Sequence, residues 1–246
     1  MEQLVVIHSQ GQKVFGNLCI PQEKAPCVLM SHGLESSKDG NKWLALAPRL
    51  YDAGFASLRF SYRGCGEGEE RSEGEFEGTS LTGRISDYRA ATDFLQRARV
   101  NTARIGAIGS SFGGTVALAA RDERIRAIVT LATPSHFPSP SEERLEQIRD
   151  KGYFELGPGK RLRAGFHEDF RRYNIYEEVK KIYCPLLIIH GSLDDVVPVE
   201  HAYELYSHAN EPKELEVIEG ANHSFDKPEH LNTVIGLSLE WFKRYL

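Results

Sequence analysis

Short apolar runs recur along the 246-residue chain, and longer segments with helical periodicity separate them. Several runs are apolar throughout, as is typical of strands that helices cover on both faces of a parallel sheet. The alternation predicts an α/β fold with a mostly parallel, eight-stranded sheet. The predicted strands span residues 4–8, 14–20, 26–31, 56–60, 105–108, 125–131, 186–190 and 215–218.

Two helices stand out because their apolar residues recur at spacings of three and four. They span residues 81–95 and 230–246, and we interpret both apolar faces as packing surfaces. A chain of this length with 41% hydrophobic residues is expected to form a single domain over residues 1–246.

The segment 134–183 separates two predicted strands by more residues than one crossover helix with short loops requires. It begins with Pro134, Pro138 and Pro140, is interrupted by Gly-Pro-Gly at 157–159, and contains many aromatic residues. We predict two or three helices in it, one near 141–151 and one near 167–181.

Charge, apolar run length and cysteine usage argue against several classes of protein. The net charge of -5 argues against nucleic-acid binding, which requires a surplus of Lys and Arg. No apolar run approaches the ~20 residues of a membrane helix, and the N-terminus lacks a signal-peptide pattern. We therefore expect no membrane partner. The four cysteines show no CxxC spacing, so we expect reduced thiols in a cytoplasmic protein. The oligomeric state stays open, a homodimer included.

Residues 105–114 carry the strongest indication of chemistry: a buried strand, then G-x-S-x-G, then a helix. Ser111 is the central serine, and a serine at such a tight turn requires neighbours without bulk at Gly109 and Gly113. Ser110 lacks glycines at the corresponding positions. The sequence therefore predicts Ser111 as a nucleophile, the alternative being a simple helix cap.

A second strand ends in His32-Gly33-Leu34. A loop there directs a backbone N–H, that of Leu34, at the substrate oxygen, and it complements the N–H of Phe112. We predict these two groups as the oxyanion hole. His32 is expected to be structural, with a role as general base as the alternative.

An acid and a base are expected after later strands. Asp194 and Asp195 both follow the run 186–190, and we choose Asp194 as the orienting acid. His223 lies in a small-residue loop after the last predicted strand and is the predicted base. The chain order Ser, Asp, His distinguishes one architecture among serine hydrolases. The other histidines are interpreted as surface or core residues without metal-ligand spacing.

With these motifs the chain resembles the α/β-hydrolase superfamily over essentially its whole length. Residues 60–68 and 72–76 are similar to the carboxylesterase and cinnamoyl (feruloyl) esterase branch. That resemblance implies an α/β-hydrolase fold, and it implies that 134–183 forms a small lid over the substrate. Cys65 stands where many relatives have His. The acidic loop from Glu67 to Glu77 is longer than usual and is interpreted as solvated, with a metal site as the alternative.

We therefore predict a serine esterase that acts on a small-molecule ester with an apolar, aromatic or short acyl group. The mechanism implies no metal and no organic cofactor. Hydrolysis of a thioester or a short peptide by the same residues is the alternative within enzymes. A non-catalytic binding protein with this fold is the alternative outside them.

Overall fold

The computed structural model describes residues 2–137, 139–157 and 159–246. Ten strands occur in this part of the chain, eight in one sheet and two in a separate hairpin. In chain order they are β1 (Glu2–Ser9), β2 (Gln12–Cys19), β3 (Cys27–Ser31), β4 (Ala56–Phe60), β5 (Ile105–Ser110), β6 (Ile125–Leu131), β7 (Tyr153–Gly157), β8 (Lys160–Arg163), β9 (Leu186–Gly191) and β10 (Lys213–Ile218). All eight predicted strands lie in the large sheet.

The strands of the large sheet follow the order β1-β2-β4-β3-β5-β6-β9-β10. β2 is antiparallel to β1 and to β4, whereas the other neighbouring pairs are parallel. β3, β4, β5 and β9 are buried along their whole length. Because the parallel strands end at one edge, the loops that follow them meet there.

Eight α-helices in the described residues cover the sheet. They are α1 (Asn41–Asp52), α2 (Leu81–Leu95), α3 (Phe112–Ala120), α4 (Glu142–Lys151), α5 (Gly165–Phe170), α6 (Ile175–Val179), α7 (Glu200–His208) and α8 (Pro228–Tyr245). β3 shows that they form two layers: Cys27 and Leu29 join the core beneath α2 and α3, and Val28 and Met30 join the core beneath α1 and α8. The predicted α/β-hydrolase architecture is confirmed.

The predicted helix at 81–95 is α2, and the Ser80 hydroxyl caps it by accepting a hydrogen bond from the Gly83 N–H at 3.0 Å. Its apolar face packs as predicted, but the same helix also buries Arg84 and Asp87. Asp87 pairs with Arg63. The interpretation of this face as a packing surface alone is therefore incomplete.

The segment 134–183 between β6 and β9 contains α4, the β7–β8 hairpin, α5 and α6. α4 confirms the helix predicted near 141–151. The single helix predicted near 167–181 is wrong, because α5 ends at Phe170 and Asn174 caps a separate α6. The sequence did not predict the β7–β8 hairpin. Pro138 and Pro158 lie outside the described residues.

All four cysteines are free thiols, which confirms the prediction that they form no disulfide. In the described ranges no helix combines the length and the apolar character that crossing a bilayer demands.

Candidate active site

Ser111 lies at the sharp turn between β5 and α3, where a nucleophile was predicted. Its backbone has φ 54° and ψ -126°, a conformation that is strained for a residue with a side chain. The Ser111 N–H donates to the Leu131 carbonyl at 2.7 Å, which helps to hold the turn. The Ser111 hydroxyl makes no cap hydrogen bond to α3, so the alternative of a simple helix cap is not supported.

The glycines on either side of Ser111 are required because other backbone segments approach them closely. A Cβ atom on Gly109 would lie 2.5 Å from the Gly113 carbonyl oxygen. A Cβ atom on Gly113 would lie 2.1 Å from the Ser31 carbonyl oxygen and 2.5 Å from that of His32. The structure confirms that both positions exclude side chains.

A Gly113→Ala substitution is therefore expected to destabilise the protein by more than about 3 kcal/mol, because rigid backbone must move. Gly236→Ala is the matched control: this glycine lies inside α8, and its Cβ would meet nothing within 4 Å. The control should gain up to about 1 kcal/mol from helix propensity. Urea unfolding measures both free energies, and a Gly113→Ala variant as stable as wild type would contradict this account of the turn.

Asp194 and His223, the predicted acid and base, are hydrogen-bonded to each other. His223 Nδ1 lies 2.8 Å from Asp194 Oδ2, and the Asp194 side chain is fully buried. Asp194 Oδ1 accepts hydrogen bonds from the N–H groups of Val196 at 2.9 Å and Val197 at 2.8 Å. Burial alone would raise the pKa of Asp194, but the hydrogen bonds it accepts outweigh burial and hold this pKa well below its usual range. The carboxylate is therefore ionised at neutral pH.

The loops after β9 and β10 are tied together, which brings Asp194 and His223 into contact. The Leu193 N–H donates to the Ala221 carbonyl at 2.9 Å, and the Gly220 N–H donates to the Ser192 hydroxyl at 2.8 Å. Asp195, the rejected candidate, is exposed. The geometry thus favours Asp194 as the partner of the imidazole.

His190 is a further partner of Asp194 that the sequence reasoning missed. Its ring is fully buried, with Nε2 at 2.8 Å from the Val197 carbonyl and 3.2 Å from Asp194 Oδ2. A carbonyl oxygen can only accept a hydrogen bond, so His190 Nε2 carries a proton. The partial positive charge of this N–H also faces the Asp194 carboxylate. The available indication was a histidine within the otherwise apolar run of β9.

The loop after β3 lies against Ser111. A Cβ atom on Gly33 would lie 3.4 Å from Ser111 Cβ and 3.9 Å from Ser111 Oγ. Within the described residues, the Leu34 N–H donates to no protein acceptor. Phe112 is the first residue of α3, so its N–H has no partner within the helix. The N–H groups of Leu34 and Phe112 are therefore two hydrogen-bond donors without a protein acceptor in the described residues, one in the loop beside Ser111 and one directly after it.

His32 is structural, as predicted. Its Nε2 accepts a hydrogen bond from the Tyr62 N–H at 3.0 Å, and its Nδ1–H donates to the Gly33 carbonyl at 2.7 Å. Burial, and to a smaller extent the charge of Arg84, lowers its pKa to about 3. With both ring nitrogens engaged, it does not fit the alternative role of general base.

Five phenylalanines connect the Ser111 turn to the segment 134–183. The Phe112 ring packs against three rings of the segment 134–183 at centroid distances of 5.6 to 6.3 Å. The cluster consists of Phe112, Phe137, Phe154, Phe166 and Phe170. All are buried except Phe137, which is partly exposed. Most of these rings therefore anchor the segment 134–183 on the core.

The acidic loop from Glu67 to Glu77, predicted to be solvated, forms ion pairs with the β7–β8 hairpin. Glu77 accepts hydrogen bonds from Arg161 at 2.6 Å and from Arg163, both on β8. Lys160 of the same hairpin lies 3.6 Å from Glu35, which follows Leu34. The interpretation as a purely solvated loop is wrong for Glu77, because the unpredicted hairpin provides its partners.

Two histidines interpreted as surface or core residues come together with a carboxylate. Ligand atoms of His136, His201 and Glu204 lie within 4.8 Å of one another. The Ser135 hydroxyl hydrogen-bonds with all three, at 3.1, 2.7 and 2.8 Å, and Tyr176 of α6 donates to Glu204 at 2.6 Å. These contacts connect the segment 134–183 to α7.

The sheet order, the strained serine turn and the loops at the carboxyl edge define an α/β-hydrolase. The sequence model of the prolyl oligopeptidase family matches residues 42–246, and the chain belongs to this family of hydrolases. An uncharacterized protein of Mycobacterium tuberculosis is 30% identical over 98% of this chain and 78% of its own length. The uncharacterized protein YfhR of Escherichia coli is 30% identical to this chain, in an alignment that covers 80% of this chain and 62% of YfhR.

Among solved structures, the chain is similar to Est1E from Butyrivibrio proteoclasticus with bound ferulic acid. The TM-score is 0.85 at 24% identity, over 97% of this chain and 99% of that one. It is also similar to dienelactone hydrolase from Anabaena variabilis, with a TM-score of 0.73 at 24% identity over 100% and 98% of the two chains. At these identities the similarity shows the fold.

Proposed function

We propose that this hydrolase cleaves carboxylic esters, with Ser111 as nucleophile, His223 as general base and Asp194 as the acid that orients the base. The observation that carries the proposal is the 2.8 Å hydrogen bond from His223 to the buried Asp194, at the sheet edge where Ser111 holds its strained turn. A carboxylate on Nδ1 leaves Nε2 of the imidazole free to accept a proton.

In the proposed reaction, Ser111 Oγ attacks the ester carbonyl carbon while His223 Nε2 takes the hydroxyl proton. His223 then gives this proton to the departing alcohol, and an acyl-enzyme remains on Ser111. Water attacks the acyl carbon while His223 Nε2 takes a proton from it. His223 then gives this proton to Ser111 Oγ as the acyl–oxygen bond breaks, which releases the carboxylic acid and restores the Ser111 hydroxyl. The N–H groups of Leu34 and Phe112 stabilise the oxyanion in both steps, each contributing about 3 kcal/mol by analogy with measured oxyanion holes.

The proposed substrates carry an apolar, aromatic or short acyl group. Leu34 follows Gly33 in the loop beside Ser111, and Phe137 contacts the ring of Phe112. Both are partly exposed apolar residues that pack against the buried core. The segment 134–183 acts in this proposal as a lid over that group. The ferulic acid bound to Est1E, a protein of the same fold, supports an aromatic acid as one candidate.

Peptide hydrolysis is the second candidate, because the family that the chain belongs to is named for an oligopeptidase. The same three residues cleave amides as well as esters, so the substrate pocket decides between them.

A substrate panel tests the proposal. It contains methyl ferulate, methyl butyrate, butyryl-CoA and an N-blocked Gly-Pro amide, with Ser111→Ala as the background control. Each rate is divided by the uncatalysed rate of the same compound, because amides are intrinsically less reactive than esters. We expect kcat/KM divided by the uncatalysed rate to be at least about 100-fold higher for one of the two methyl esters than for butyryl-CoA or the amide.

Turnover of the amide with no turnover of either methyl ester above the Ser111→Ala background would overturn the ester proposal and favour the peptidase. The ratio between methyl ferulate and methyl butyrate separates an aromatic from a short acyl preference.

A further inference from the structure

Arg84 of α2 is a buried cation without an anionic partner. Only 1% of the residue is exposed, and no carboxylate in the described parts of the chain forms an ion pair with it. Its position falls on the buried side of α2, between Leu81 and Tyr88. Burying an unpaired charge is strongly unfavourable, so the presence of Arg84 here calls for a physical reason.

The guanidinium group directs its hydrogen bonds at the loop that follows β3. Nη1 donates to the Gly33 carbonyl at 3.1 Å, and Nη2 donates to the Leu34 carbonyl at 2.7 Å. The group also lies over the rings of Tyr62 at 4.7 Å and Phe112 at 5.1 Å, and Nη2 lies 3.6 Å from the Cys65 sulfur. Two aromatic faces and two carbonyl dipoles thus replace a counter-ion.

The Gly33 carbonyl and the Leu34 N–H belong to the same peptide group. In a trans peptide these two bonds point in opposite directions, so a donor on the carbonyl side leaves the N–H facing away from Arg84. A cation that hydrogen-bonds the carbonyl also polarises the peptide and strengthens its N–H as a donor. His32 donates to the same carbonyl as a neutral group, which leaves Arg84 as the charged donor.

We infer that Arg84 is a positioning residue: it fixes and polarises the Gly33–Leu34 peptide so that the Leu34 N–H stabilises the oxyanion of the transition state. The inference rests on the proposed function, in which this N–H is an oxyanion donor. Arg84 touches no reacting atom, and it acts only through the Gly33–Leu34 peptide.

The test compares Arg84→Met and Arg84→Lys with wild type. Met fills a similar volume without charge, and Lys keeps the charge without the paired donors. We expect Arg84→Met to lower kcat by about 10- to 100-fold with KM within about 3-fold, less than the loss of a whole oxyanion donor. Arg84→Lys should recover part of this loss. Arg89→Met is the control, because Arg89 is also on α2 and donates to a backbone carbonyl, that of Ala120, at 3.0 Å.

A transition-state readout separates positioning from a merely structural role. Ser111 Oγ adds reversibly to the carbonyl carbon of a trifluoromethyl ketone. The carbonyl oxygen of this adduct carries negative charge at the position of the oxyanion in the transition state. The inhibition constant of the ketone should rise by the same factor by which kcat/KM falls in Arg84→Met and Arg84→Lys. In Arg89→Met both quantities should equal those of wild type.

Folded Arg84→Met and Arg84→Lys proteins with wild-type kcat and wild-type ketone affinity would overturn the inference. So would the failure of both variants to fold, since the guanidinium would then be structural. Fluorophosphonate labelling of wild type at Ser111 keeps this result distinct from failure of the proposed function. If wild type is not labelled, the proposed function fails; if wild type is labelled and the Arg84 variants react at its rate, only the role of Arg84 fails.

Discussion

Ser111→Ala is expected to abolish covalent labelling by a fluorophosphonate and to lower kcat for the preferred ester on the order of 10⁶-fold. The hydroxyl makes no cap hydrogen bond to α3 and lies at a strained turn, so its removal takes away the nucleophile without removing a helix cap. The fold should persist, because Ala can replace Ser at this position without new bulk. Labelling followed by mass spectrometry of the modified peptide, together with steady-state kinetics, measures both effects.

Ser110→Ala is the matched control for this prediction. Ser110 is the neighbouring serine and is buried at the end of β5. Two residues away on either side it has Ile108 and Phe112, where Ser111 has Gly109 and Gly113. This variant should keep the label on Ser111. Labelling that persists in Ser111→Ala and disappears in Ser110→Ala would reverse the assignment of the nucleophile.

Asp194→Asn should lower kcat by about 10⁴-fold, whereas Asp195→Asn should stay within about 3-fold of wild type. Asp194 Oδ1 accepts two backbone hydrogen bonds, so the amide oxygen of an Asn must take that position. The NH₂ group then faces His223 Nδ1 and forces the ring into the tautomer whose Nε2 already carries a proton. Such an imidazole cannot act as the base.

The measurement is kcat for both Asn variants, with urea unfolding to show that each is folded. Asp195 is the control because it is the adjacent carboxylate, and it is exposed. A larger loss in Asp195→Asn than in Asp194→Asn would show that the wrong carboxylate was chosen.

The segment 134–183 shows where local sequence patterns mislead. Its aromatic residues between 166 and 176 suit the spacing of one helix, yet Asn174 starts a new helix by accepting a hydrogen bond from the Glu177 N–H. β7 and β8 are short and carry several charges, so they lack the apolar run that identifies a strand. Their stability comes partly from the ion pairs with Glu77, which lies some 80 residues earlier in the chain.

Local patterns were sufficient for the eight strands of the sheet, the Ser111 turn and the loops that contain Asp194 and His223. Each depends on short-range properties: apolar runs, glycines beside a strained residue, and small residues after a strand. The sequence already favoured Asp194 over Asp195, but only the folded chain shows that Asp194 contacts His223 while Asp195 is exposed. The contact of His190 with Asp194 and the role inferred for Arg84 also required the folded chain. Their surroundings are built from strands and helices far apart in sequence, and hydrogen-bond geometry and burial between such segments leave no periodic trace in the residues themselves.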